Sequence, residues 1–388
     1  IIEGKYQIKP ELPFSPGGEM AGEVLAVGEG VQRFKAGQRV MGLTGYGAFA
    51  EEILVPENQL IPVPDGMNDH TAAAFSMVYG TSYHALKQRA NIQPGETLLV
   101  LGASGGVGLA AVELGKAMGA TVIAAASSAE KLAVAKEAGA DDLINYAEED
   151  LKEALKQRYP KGVDVIYDPV GDKFTEAAIR NMAWNGRLLI VGFAAGDIPK
   201  IPANLALLKG CSIIGVFWGA FTQKEPQTNI QNIMELMQLF NQGKINPRIS
   251  QVFPFEEYEQ ALAALTSRTA KGKVVLDIAG AWDPSLAFVM GGAVVVGLVA
   301  FTIARRRTLS FLGFNIKLPT NTQIDKRLVV GSMMFGVGWG IAGFCPGPAL
   351  VAFGAGEIKG VVFVASMVTG MILFEIAERI RASAGHNA

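Results

Sequence analysis

Apolar and polar positions along the chain fall into three textures. Residues 1–60 are rich in Gly and Val with frequent turn signals, and Val24-Leu25-Ala26-Val27 and Arg39-Val40-Met41 predict short strands. Residues 69–90 predict a helix capped by Asn68 or Asp69. From Thr97 onward, short apolar runs alternate with helical periodicity. Strands are predicted at 97–101, 121–125, 142–146, 163–167, 186–191 and 212–216, and helices at 106–118 and 129–138. Continuous apolar strands separated by helices predict a parallel sheet covered on both faces. Helices at 226–243 and 255–266 and a strand at 274–278 close this part.

The third texture begins after Asp283. Ser285–Ala304 is a run of twenty residues without a charge, followed at once by Arg305-Arg306-Arg307. Leu328–Phe344 and Ile358–Phe374 are two further apolar stretches. Runs of this length match a bilayer, and Gly331, Gly336, Gly338, Gly340 and Gly343 suit close helix packing in lipid. An all-α transmembrane segment over 281–377 is therefore expected.

Composition adds exclusions. A net charge of −2 gives no reason to expect nucleic acid or an acidic polymer as partner. Two cysteines, Cys211 and Cys345, are too few for a disulfide framework, so a reducing compartment is expected for the first part. The opening Ile1-Ile2-Glu3-Gly4 carries no basic or apolar leader and reads as an internal start.

The chemistry begins with Gly102-Ala103-Ser104-Gly105-Gly106-Val107-Gly108, set between a predicted strand and a predicted helix. Glycines let the backbone approach a pyrophosphate, and the helix behind them aims free N–H groups and its positive dipole end at the anion. Ser104, Gly105, Gly106, Val107 and Gly108 are thus cofactor candidates. An NAD site usually carries a carboxylate at the end of the next strand, to bond the ribose 2′-hydroxyl. Here that stretch is Ala124-Ala125-Ala126-Ser127-Ser128. Ser127, Ser128 and Lys131 suit a 2′-phosphate instead, so NADPH is the expected cofactor. The same serines also suit a plain helix cap.

Only three histidines occur, His70, His84 and His386, and no Cys/His cluster has zinc-ligand spacing. Tyr79 and Tyr83 are polar aromatics near the expected cleft. Each either stacks on a nicotinamide, bonds a carbonyl, or packs in the core. The absence of an obvious nucleophile–base pair suits hydride transfer, in which the cofactor carries the chemistry.

Residues 1–278 resemble the zinc-independent quinone oxidoreductase branch of the medium-chain dehydrogenase/reductase superfamily. The resemblance is carried by Pro16-Gly17-Gly18-Glu19-Met20-Ala21-Gly22, Gly80-Thr81-Ser82-Tyr83-His84-Ala85-Leu86, the glycine loop, Ala138-Gly139-Ala140-Asp141, Ile144-Asn145-Tyr146, Asp168-Pro169-Val170-Gly171, Val191-Gly192-Phe193 and Gly272-Lys273-Val274-Val275-Leu276. It implies an α/β protein with a GroES-like β-rich catalytic domain, here N-terminally truncated, over 1–85. A Rossmann doubly wound parallel sheet follows over 86–222, and 223–278 return to the catalytic domain. It implies Thr81 near the nicotinamide, beside Tyr79 and Tyr83, the catalytic candidates that the residues themselves offer. Gly105, Gly106, Val107 and Gly108 would hold the pyrophosphate. Ser127, Lys131 and Tyr146 would surround the 2′-phosphate, and Val170 and Phe193 would line the cofactor. It also implies a homodimer and a small quinone or enone substrate. Where zinc-dependent relatives carry a Gly-His-Glu segment, this chain has Gly18-Glu19-Met20 without His, so zinc-free chemistry is expected.

The stretch Gly338-Trp339-Gly340-Ile341-Ala342-Gly343-Phe344-Cys345-Pro346-Gly347-Pro348-Ala349-Leu350 resembles the YeeE/YedE family of sulfur-compound transport membrane proteins over about 280–376. Its two prolines break the second apolar run. That resemblance makes Cys345 a candidate relay for thiosulfate-like sulfur. The positive-inside rule places Arg305–Arg307 in the cytoplasm and residues 1–278 outside, against the cytoplasmic setting that NADPH demands. Two incomplete units joined near Ile278-Ala279-Gly280 resolve the conflict. The functions open at this point are an NADPH-dependent reductase, part of a sulfur-compound transporter with the reductase as passenger, and an inactive chimeric fragment.

Overall fold

A computed structural model describes residue 2 and residues 9–278. The apolar runs at 285–304, 328–344 and 358–374, and Cys345, lie outside the described residues. Among the described residues no helix is long and apolar enough to cross a membrane.

Three strands open the described chain: β1 (Glu19–Glu23), β2 (Arg39–Leu43) and β3 (Leu60–Pro62) form an antiparallel sheet in the order β1-β2-β3. The strand expected at 24–27 is displaced, because regular pairing ends at Glu23. Among the described residues Leu25 and Val27 are exposed, without an apolar layer over them.

The helix expected over 69–90 forms in pieces. Asn68 caps α1 (Asp69–Ala73) by accepting the Thr71 N–H at 2.8 Å. The chain restarts as α2 (Ser76–His84) and ends in one wide π turn at Ala85–Arg89. Apolar and small residues occupy several faces of α2, and it is buried on most of them.

The centre of the protein is a six-stranded parallel sheet. Its strands are β4 (Thr97–Leu101), β5 (Thr121–Ala126), β6 (Asp142–Asn145), β7 (Val163–Asp168), β8 (Met182–Ile190) and β9 (Ser212–Gly215). Their order is β6-β5-β4-β7-β8-β9. The chain winds outward from β4 to one side and then crosses to the other, which is the doubly wound Rossmann arrangement expected from the alternating pattern. Helices α3 (Gly106–Ala117), α4 (Ala129–Glu137), α5 (Leu151–Arg158), α6 (Asp172–Ile179) and α7 (Ala203–Lys209) supply the crossovers.

Side-chain alternation explains the burial. Leu98, Val100, Val122, Ala124, Val165 and Tyr167 face one core, shared with α2 and α3. Leu99, Leu101, Ile123, Ala125, Ile166 and Leu188 face the other, shared with α5 and α6. Each face of β4 is fully covered, so polar alternation is absent from its sequence. Helices α8 (Trp218–Lys224) and α9 (Pro226–Asn241) follow, then β10 (Ile249–Pro254), α10 (Tyr258–Thr266) and β11 (Lys273–Asp277). Strands β10 and β11 pair in parallel as a separate ribbon.

Candidate active site

In open parallel sheets, ligands bind outside the carboxyl ends of the strands, where the strand order reverses. Here the reversal lies between β4 and β7. The sequence-predicted residues follow strand ends: the glycine loop after β4, Ser127 and Tyr146 one position after β5 and β6, Val170 two after β7 and Phe193 three after β8.

The loop after β4 enters α3 with Gly105 as its extended N-cap. No side chain caps this end, so its backbone donors have no local side-chain acceptor. A Cβ on Gly108 would lie 2.3 Å from the Gly102 carbonyl oxygen and 2.9 Å from the Ala103 Cα, so only glycine lets the helix close onto its loop. Val170 packs against the same loop. Asp168 fixes Val170: buried at 1% exposure, it accepts the N–H groups of Val170 and Gly171 at 2.9 and 2.8 Å and the Thr175 hydroxyl at 2.5 Å.

At the end of β5 the expected polar cluster assembles. Ser128 accepts the Lys131 N–H at 3.3 Å and caps α4, while Lys131 Nζ donates to the Ser127 hydroxyl at 3.2 Å. The cap and the lysine–serine contact coexist. Burial raises the Tyr146 phenol, and a hydrogen bond with Ser127 and the charge of Arg268 pull it the other way. Arg268 is a residue the sequence reading missed. It reaches over from the turn after α10 and donates to the carbonyls of Ala194 and Ala195 at 3.4 and 3.3 Å. Nothing local in the sequence marks it, since its position follows from a left-handed backbone (φ +57°).

The other wall comes from α2 and β11. Ser82 donates to the Val107 carbonyl at 3.0 Å and shares a 2.8 Å bond with the Tyr167 hydroxyl, which sets α2 over β7. Val78 on α2 lies against Gly106. Thr81, half-buried, follows one turn later on that side. Gly272 forms a parallel bridge with Gly105. Its φ of +110° and the Arg248 carbonyl, 2.3 Å from any Cβ built there, exclude a side chain. The Lys273 stem then crosses Gly106, and its ammonium pairs with Glu19, 9% exposed. The second Glu19 oxygen accepts the Met77 N–H at 2.7 Å.

Tyr79 and Tyr83 turn elsewhere. Tyr79 is buried, stacks on Phe75 with ring centroids 4.7 Å apart and donates to Glu113. Glu113 lies about two turns along α3 from the glycine loop. Tyr83 donates to Glu235 on α9, which also holds Lys87. Both hydroxyls are therefore engaged inside helix contacts. His84 is buried and stacks on Phe221 at 3.9 Å, and burial pushes its imidazole down.

Burial pushes Glu113 up to about 7, against the hydrogen bonds from Tyr79 and the Asn246 N–H. The protonated form therefore favours the fold. Its contribution is fully present below the unfolded value of 4.5 and is lost as pH rises through 7. Glu113→Gln keeps an acceptor for Tyr79 and has no proton to lose. Melting curves should show the variant gaining on the wild type from pH 5 to 8, by up to about 3 kcal/mol; parallel pH profiles would refute this.

A hollow of about 650 Å³ lies between α5, α6 and the loop after β8. Lys152, Arg180 and Lys200 there are balanced by Asp150, Glu176 and Asp197, so it presents no single charge to a ligand.

An uncapped helix N-terminus behind a glycine loop, with Ser127 and Lys131 at the end of the next strand, is the arrangement of a dinucleotide-binding protein. Comparison with known proteins agrees. Residues 1–65 match the alcohol dehydrogenase GroES-like domain and 106–238 the zinc-binding dehydrogenase family, while 261–385 match a family of unknown function, DUF6691. The quinone oxidoreductase-like protein 2 homolog of Nematostella vectensis is 40% identical over 277 residues, covering 71% of this chain and 76% of that protein. Escherichia coli quinone oxidoreductase, solved with NADPH, superposes with a TM-score of 0.65 at 30% identity, over 70% of this chain and 85% of that one. The CurK enoyl reductase gives 0.62 at 28% identity, over 68% and 79%. The chain belongs to the quinone oxidoreductase-like family of the medium-chain dehydrogenase/reductase superfamily.

Proposed function

We propose that residues 1–278 bind NADPH and reduce a quinone or other conjugated carbonyl without zinc. The observation that carries the reading is the pairing of an uncapped glycine-loop helix with the Ser127–Lys131–Tyr146 cluster, to which Arg268 adds a second cation. The cradle fits the group: Gly108 brings the loop onto the helix, and Gly105 and Gly106 keep side chains off the N–H groups. We divide the labour between 1–85 and 223–278 on the substrate side and 86–222 on the cofactor side.

Bound NADPH supplies a hydride to the acceptor, and a proton from solvent or a side chain completes the reduction. The chain's own residues position and shield. Gly105, Gly106, Val107 and Gly108 would hold the pyrophosphate, and Ser127, Lys131, Tyr146 and Arg268 the 2′-phosphate. Ser104, Val170 and Phe193 would line the dinucleotide, and Thr81 would face the nicotinamide. The zinc-free reading is supported by Glu19, whose two oxygens are taken by Lys273 and the Met77 N–H. The exposed edge strand β9 supports a homodimer pairing along it, and a one-chain mass in sedimentation would oppose that.

The test is cofactor choice. Quinone-dependent oxidation of NADPH should exceed that of NADH at least about tenfold in kcat/KM, the scale of one charge-assisted phosphate contact. Lys131→Ala should erase most of the difference through NADPH alone. Equal kcat/KM for the two cofactors would overturn the reading.

A further inference from the structure

Between α10 and β11, the segment Arg268–Lys273 carries three cations within six residues. Arg268 meets the loop after β8, and Lys273 meets Glu19. Lys271 does something different. Its Nζ donates to Glu130 Oε2 at 2.6 Å and draws that carboxyl below its usual range. Glu130 is the only acidic residue in Ser127–Lys131, the turn that carries the phosphate cluster, and it stands in the first turn of α4.

That position is fixed on both sides. The Lys271 N–H donates to the Ser250 hydroxyl at 3.1 Å, and the Lys273 N–H to the Arg248 carbonyl at 2.8 Å. Gly272 between them bridges Gly105. Lys271 therefore reaches the cofactor sheet from β11's side along a rigid backbone, and its partner is a carboxylate.

We infer that Lys271 is a specificity-determining residue for the cofactor: by neutralising Glu130, it permits a dianionic ribose phosphate beside Ser127 and Lys131. An unshielded Glu130 repels a 2′-phosphate but not a neutral ribose hydroxyl, so removing Lys271 lowers the preference for NADPH over NADH. This rests on the cofactor reading above. The pair is exposed, so its effect is modest and falls with ionic strength.

The experiment measures kcat/KM and affinity for both cofactors in the full chain, at low and high salt. Lys271→Ala should lose about threefold to fivefold with NADPH and nothing with NADH, the loss shrinking at high salt. Glu130→Gln in the Lys271→Ala background should restore NADPH use to near wild type, and Glu130→Gln alone should leave it at or above wild type. Equal losses for both cofactors, or no restoration by Glu130→Gln, would overturn the inference alone. A wild-type chain that does not prefer NADPH would overturn the cofactor reading and this inference with it.

Discussion

Gly106→Asp should lower NADPH affinity by about 100-fold or more, read as a loss of saturable nucleotide fluorescence. The steric part is small. A Cβ at Gly106 would meet Val78 Cγ1 at 3.1 Å and Lys273 Cδ at 3.2 Å, both side-chain atoms that can move by a few tenths of an ångström. Gly106→Ala is therefore the control, and it should retain most of its affinity. The electrostatic part is large. The new carboxylate stands at the first helical residue of α3, where the free N–H groups and the helix dipole favour an anion. A unit charge about 5 Å from a pyrophosphate charge, at an effective dielectric near 20, opposes binding by about 3 kcal/mol. Lys273 does not cancel it freely, because its ammonium already pairs with the nearly buried Glu19. Affinity within about threefold of wild type would mean that the diphosphate does not lie at this helix end, and the cofactor reading would fail with it.

The parts legible in the sequence are those whose burial or backbone demand is extreme. Strand β4 sits at 0% exposure from Leu98 to Leu101, and its unbroken apolar run is the direct mark of a strand covered on both faces. The glycine loop is legible because Gly108 tolerates no Cβ. The association of Ser127 with Lys131 is legible because helix spacing places them four apart across a cap.

What stays hidden depends on direction. Tyr79 and Tyr83 lie on a helix buried on most sides, and the sequence does not say which neighbour each phenol meets. The partners Glu113 and Glu235 come from elements 34 and 152 residues away. Helix α7 leaves Leu207 and Leu208 exposed, so it shows no clean apolar stripe. The break between α1 and α2 has no proline or glycine to announce it. Arg268 is hidden for a similar reason, since a turn after α10 carries it to a loop 73 residues upstream.

Asp168→Ala should be the most damaging single truncation at the strand ends, costing about 3–5 kcal/mol and lowering Tm by about 10 °C. The side chain is 1% exposed and receives three donors, the N–H groups of Val170 and Gly171 and the Thr175 hydroxyl. Alanine leaves two backbone donors and one hydroxyl without their acceptor, in a place water does not reach, and each carries its own desolvation cost. Asp168→Asn separates this from simple loss of volume. Its amide oxygen still accepts the two N–H groups, while its NH₂ meets a Thr175 hydroxyl free to rotate and accept, so its loss should be less than half as large. The consequence extends to the glycine loop, because the Val170 that Asp168 holds packs on it. Asp168→Ala should therefore weaken nucleotide binding even at temperatures where it remains folded. A Tm within about 2 °C of wild type for Asp168→Ala, or equal losses for Ala and Asn, would show that the hydrogen bonds at the end of β7 do not hold this loop in place.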